Sequence, residues 1–212
     1  VSTHLTEEEQ VEALKRWWSE NGKSVIGGIV LGLGLVFGWQ GWNQHQKSQA
    51  EMASAEYDRM LLLIDQGDLE TAGKQAGLIG EQYEATAYDY FAALQLARAL
   101  VNKNDLPAAR TQLEFALAHA DDDGLAQVAR IRLARVLMAM DKFDEATAVI
   151  NSASHADAFK GDLTAIKADI ARLQGDAAAA ATAYEQALQE NASLRAYVEM
   201  KRNDVKTASP NS

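Results

Sequence analysis

LARALVNKNDLPAARTQLEFA, residues 96–116, is followed 37 residues later by LARVLMAMDKFDEATAVINSA, residues 133–153. Leu96-Ala97 and Leu133-Ala134 hold matching places before a short polar break, Asn104-Asp105 in one copy and Asp141-Lys142 in the other. Beyond the break stand Ala109 and Ala146, and seven residues further on Ala116 and Ala153. The frame extends outward on both sides. Gly67-Asp68 lies 37 residues before Asn104-Asp105, and Gly175-Asp176 lies 34 residues after Asp141-Lys142. Ala72 with Ile79, and Ala180 with Ala187, stand at the corresponding offsets. Alanine at a crossing lets two helices approach closely. The break supplies a permissive helix end and then an acceptor for the next helix's first N–H groups. Pro107 falls in a first turn, where its missing N–H costs little.

A period of about 34 residues with paired helices is the pattern of tetratricopeptide repeats. The expected units are 48–83, 85–120, 124–153 and 158–191. A terminal helix over Leu194–Lys206 should cover the last apolar face of the stack, and Thr207–Ser212 should be disordered. Helical spacing recurs within the units, as in Phe91, Leu94, Ala97 and Val101, and in Val128, Ile131, Leu133, Val136 and Leu137. Alternating β-branched runs with hairpin turns are missing. Three features depart from a strong repeat. The tryptophan and tyrosine expected in a first helix are absent, Lys167 stands where Leu96 and Leu133 stand, and Met60 replaces a small residue. The competing reading is an irregular α-helical bundle without true repeats.

Upstream of the repeats runs SVIGGIVLGLGLVFGWQGW, residues 24–42, without a charged residue. As a helix it would be about 28 Å long, close to the ~30 Å hydrocarbon core of a bilayer. All four tryptophans bracket it: Trp17 and Trp18 before, Trp39 and Trp42 at its end. Indole rings prefer the membrane interface. The long acidic stretch before the run and the bulky residues after it read as an uncleaved signal anchor rather than a cleavable signal. Lys15, Arg16 and Lys23 precede the span and only Lys47 follows closely, so the N-terminus should be cytoplasmic and the repeat domain periplasmic. The expected organisation is therefore all-α. Residues 1–23 form a cytoplasmic segment with an interfacial amphipathic helix, 24–42 a single transmembrane helix, 43–206 a periplasmic tetratricopeptide-repeat-like α-solenoid, and 207–212 a disordered tail.

Two features of the anchor stand out. Gly27, Gly34, Gly38 and Gly41 share one helix face with Leu31, and small residues let another transmembrane helix come close. In Gln10–Lys23, Val11, Leu14, Trp17 and Trp18 form an apolar face opposite Glu12, Lys15, Arg16 and Ser19. Such a helix suits the inner interface or a partner's cytoplasmic face.

The net charge is −10, of which residues before Lys47 carry −2, leaving −8 for the exported part. That acidity argues against nucleic-acid binding and against docking on anionic lipid. The chain has no cysteine, which excludes disulfides and thiolate chemistry. His4, His45, His119 and His155 are too scattered to suggest a metal pair. Gly32-Leu33-Gly34 lies inside the span and is no phosphate loop. Asp121-Asp122-Asp123-Gly124 lacks the alternating ligands of a calcium loop. Arg130, Arg132 and Arg135 should pair with acidic neighbours on a solvated face. No acid, base, metal or nucleophile constellation points to an enzyme, and no cofactor is implied.

QVEALKRWWSENGKS before the span, GWQGWNQHQ at its end, the central IRLARV and the late GDAAAAATAYEQAL together resemble the YfgM-type ancillary subunits of the bacterial SecYEG translocon. The resemblance implies a single-span inner-membrane protein with a periplasmic tetratricopeptide-like domain. Such a protein would sit in the lipid bilayer beside SecYEG, pair with the membrane-anchored periplasmic chaperone PpiD, and assist newly exported, unfolded secretory polypeptides. Without the resemblance, a tethered scaffold for another envelope-assembly or division complex fits the residues equally well.

Overall fold

The computed structural model describes residues 7–84, 86–154, 157–190 and 192–208. His4, His155 and residues 209–212 of the expected tail lie outside them. The chain divides into two units, one up to Gln49 and one from Ala50 on. The described residues form helices and turns, with no strand among them.

Helix α1 covers Glu7–Asp65. The expected interfacial helix and the span are thus consecutive parts of one element, without a break at residue 24 or 42. Proline, the residue that most reliably ends a helix, does not occur before Pro107. In the first unit the residues of 24–42 are almost all exposed, Leu35 at 71% and Phe37 at 66%. An apolar surface of this extent has no stable place in water. This is the one helix among the described residues long and apolar enough to cross a membrane.

The second unit begins with the end of α1 and continues as helix pairs. These are α2 (Leu69–Gln82), α3 (Tyr88–Asn102) with α4 (Leu106–Ala118), α5 (Asp123–Ala139) with α6 (Phe143–Asn151), and α7 (Lys160–Leu173) with α8 (Ala177–Gln189). The last helix is α9 (Arg195–Ala208), so Thr207 and Ala208 of the expected disordered tail are helical.

All four polar breaks have one geometry. The first residue is left-handed: Gly67 at φ +80°, Asn104 at +60°, Asp141 at +59° and Gly175 at +85°. The next N–H reaches back five residues, Asp68 to Leu63, Asp105 to Leu100, Lys142 to Leu137 and Asp176 to Ala171, at 2.9–3.0 Å. That bond closes a Schellman turn and satisfies an orphan carbonyl. Asp68, Asp105 and Asp176 then cap the following helix, accepting from Thr71, Ala108 and Ala179 at 3.1, 3.2 and 2.9 Å. Lys142 has no acceptor, and α6 starts without a side-chain cap.

The core follows the repeat frame. Ala72, Ala97, Ala109, Ala116, Ala134, Ala146, Ala180 and Ala187 are buried. Met60 occupies the place of Ala97 and Ala134 one repeat earlier and is fully buried, so a long flexible side chain fills the first crossing. Ala153 departs from the expectation. Helix α6 ends at Asn151, and Ala153 lies half-buried in the turn beyond it. Ser152 ends the helix by turning its Oγ onto the Val149 carbonyl at 2.8 Å. Ala168, 34 residues after Ala134, is a buried crossing residue that the frame offered and the mismatched Lys167 obscured. Two clusters result. The larger runs from Met60 to Ile170, and the smaller joins Ala168, Tyr184, Ala187 and Leu188 to Val198 and Val205 of α9. Tyr184 Oη donates to Asp169 Oδ1 at 2.6 Å, and Lys201 of α9 meets the same oxygen at 2.6 Å. Burial, then the Asp169 carboxylate, push the Tyr184 phenol far above its usual range.

Candidate functional site

In the first unit the candidate residues form open surface rather than a pocket. A Cβ built on Gly27, Gly34, Gly38 or Gly41 meets nothing within 4 Å, so this face is free for a neighbouring helix. Trp17, Trp18, Trp39 and Trp42 are all exposed, as are Val11 and Leu14. The rings of Trp17 and Trp18 lie 6.4 Å apart, and Gly22 sits under the Trp18 indole, whose Cε2 lies 3.2 Å from where a Cβ on Gly22 would be. Ser19 Oγ donates to the Arg16 carbonyl and Asn21 Nδ2 to that of Trp17, which ties this amphipathic stretch to its own backbone.

In the second unit an apolar groove of about 290 Å³ lies between α3 and α5, with Leu113 of α4 also lining it. Leu94, Ala97 and Val101 form one wall and Val136 the other. The sequence stripe Phe91–Leu94–Ala97–Val101 is therefore core only in its middle, where Leu94 and Ala97 are buried. Phe91 and Val101 are each 40% exposed, while Tyr90, Ala93, Leu96 and Leu100 turn inward. A helix apolar on nearly every side hides which face is core. Tyr90 is a buried anchor the spacing did not reveal. Its Oη donates to the Leu125 carbonyl, 35 residues away, at 2.8 Å.

The arginine cluster of α5 divides. Arg130 is buried, contrary to the solvated ion pairs expected of it. Its Nε donates to the Val149 carbonyl at 3.1 Å and a terminal nitrogen to Gln127 Oε1 at 2.8 Å, while Gln127 Nε2 donates to the Ser154 carbonyl at 2.9 Å. Burial presses its guanidinium below the usual range, against the pull of Asp123. Arg132 and Arg135 are exposed and line the groove with Arg98 of α3.

Among the described residues no group of three metal-ligating side chains comes together. His45 is exposed, and His119 stacks on Phe115 at 3.9 Å with its Nδ1–H on the Phe115 carbonyl. In the acidic run Asp122 caps α5, accepting from Leu125 N–H at 2.8 Å.

The family model of a tetratricopeptide repeat-like domain matches residues 15–207. The chain is 33% identical over 206 residues to the ancillary SecYEG translocon subunit of Haemophilus influenzae, covering 95% of this chain and 98% of that one. It is 35% identical over 188 residues to the protein of that name from Aggregatibacter actinomycetemcomitans, covering 89% and 91%. To that of Escherichia coli it is 34% identical over 177 residues, covering 84% and 81%.

Proposed function

Because the chain belongs to the family of ancillary SecYEG translocon subunits, with a tetratricopeptide repeat-like domain, we propose that it is a non-enzymatic accessory protein of the Sec translocon. It crosses the inner membrane once, with the N-terminus cytoplasmic and the repeat domain periplasmic. The domain binds a periplasmic chaperone of the PpiD kind, emerging secretory polypeptides, or both. The observation that carries this reading is that the likeness to the Haemophilus influenzae subunit covers 95% of this chain, and the repeat-like family match over residues 15–207 also begins before the span, so the anchor and the domain are related to the translocon subunits as one chain.

The division of labour follows from the two surfaces. The open glycine face of the span packs on a transmembrane helix of the translocon, where small residues allow close van der Waals contact. The repeat domain holds the periplasmic partner. Affinity purification of the tagged chain from gently solubilised membranes tests both halves. Translocon subunits and a periplasmic chaperone should dominate. Gly34→Leu with Gly38→Leu should weaken translocon recovery several-fold while membrane insertion and chaperone recovery persist. Recovery of other envelope proteins in place of the translocon would overturn the reading.

A further inference from the structure

Arg98, Arg132 and Arg135 stand on a groove whose lining contains no carboxylate. Several other cations of the domain are paired, Arg110 with Glu114 and Glu145 at 2.7 and 2.8 Å, Lys160 with Glu190 at 3.2 Å and Lys201 with Asp169 at 2.6 Å. The three groove arginines have no ion pair among the described residues, on a chain with ten more acidic than basic residues. Their placement belongs to the repeat. Arg98 and Arg135 are the same position of successive units, 37 residues apart, and Arg132 lies one helical turn before Arg135. The positive charge therefore follows the groove along both its walls, above Leu94, Val101 and Val136.

We infer that this groove docks a peptide segment of a partner protein in which aliphatic side chains alternate with internal Asp or Glu. The aliphatic groups fill the apolar floor, and the carboxylates take the guanidinium forks, whose planar donors match a carboxylate in bidentate geometry. The occupant follows from charge and size. A volume of about 290 Å³ is at the small end for ligand pockets, so it receives a few side chains of a segment rather than a whole cofactor. The acidic remainder of the chain repels an anionic bilayer, whereas a short segment meets only the groove. The inference deepens the reading of the domain as a protein-binding module by naming where it binds and what chemistry it selects.

The test uses the full chain in nanodiscs of phosphatidylcholine. The probe is a fluorescein-labelled peptide, acetylated and amidated, with leucines interleaved by glutamates. Two counterparts carry glutamine or lysine in place of glutamate. Anisotropy should show saturable binding of the glutamate peptide that weakens with salt, roughly tenfold weaker binding of the glutamine peptide, and none of the lysine peptide. Arg98→Gln with Arg132→Gln and Arg135→Gln should lower the glutamate peptide to the glutamine level at unchanged Tm. Val101→Asp, at a half-exposed wall position, should abolish both. Equal affinity for the glutamate and glutamine peptides, or no loss in the triple variant, overturns the inference. So does a requirement for the arginines seen only with phosphatidylglycerol vesicles, which would assign them to lipid. The peptide assay needs no translocon. Its failure beside successful co-purification would remove the groove alone, and failed co-purification beside peptide binding would remove the translocon reading alone.

Discussion

Asp89 is a buried carboxylate in the first turn of α3 that accepts the Tyr90 N–H at 2.5 Å. Burial raises its pKa above the usual carboxylate range, against that hydrogen bond and the nearby His119. A carboxyl whose folded pKa exceeds its unfolded one costs stability above both values and recovers it as pH falls through them. Asp89→Asn keeps an acceptor for Tyr90 and removes the charge. It should raise Tm by a few degrees at pH 7, and the gain over the parent should vanish as pH approaches the unfolded carboxylate value near 4 in thermal melts. A gain that persists unchanged at low pH would mean the charge is not its cause. At this scale the buried alanines were legible, because a crossing demands a small residue at a fixed offset. Tyr90 and Arg130 were not. Each is defined by a partner far along the chain, the Leu125 carbonyl for one and the Val149 carbonyl for the other, and spacing carries no information about such partners. Ala153 misled because an offset records position in a repeat, and the local Asn151-Ser152 pair had already ended the helix.

The polar breaks are the elements in which local sequence speaks most directly. Each combines a left-handed residue with a Schellman turn, three of the four add a side-chain cap, and the backbone at Lys142 (φ −91°, ψ 62°) matches that at Asp105 (−87°, 71°). Only the acceptor is missing at Lys142, whose exposed pair with Glu145 at 3.1 Å contributes little. Lys142→Asn should therefore stabilise by about 1 kcal/mol and lift Tm by about 2–4 °C, while Asp105→Ala should lower it by a similar amount. Differential scanning calorimetry of the two variants decides. If Lys142→Asn is destabilising, the ion pair outweighs the cap. Helix boundaries at these breaks were readable for that reason. The continuity of α1 was not, since a change from amphipathic to apolar to repeat-like composition marks a change of surroundings and leaves the helical backbone intact. The groove face of α3 was equally hidden. Its stripe has core composition throughout, and only the packed fold shows that Phe91 and Val101 stay half-open while Leu94 and Ala97 between them are buried.

For the molecule as a whole, the balance of Lys15, Arg16 and Lys23 against Lys47 predicts a cytoplasmic N-terminus and a periplasmic repeat domain. Protease added to spheroplasts should degrade the unit from Ala50 on and leave a small protected fragment containing the span; full protection of the repeat domain would reverse the assignment. Both units were legible in outline because each has its own composition, one apolar and tryptophan-flanked, one alanine-rich and periodic. The same partition has an optical consequence. All four tryptophans, at 17, 18, 39 and 42, lie before Gln49, and all six tyrosines, at 57, 83, 88, 90, 184 and 197, lie after it. Emission excited at the red edge of the absorption band comes from the anchor alone, and the phenol signal from the repeat domain alone. One unlabelled sample therefore carries two separate reporters, so insertion into lipid and melting of the solenoid can be followed side by side without introducing a single dye.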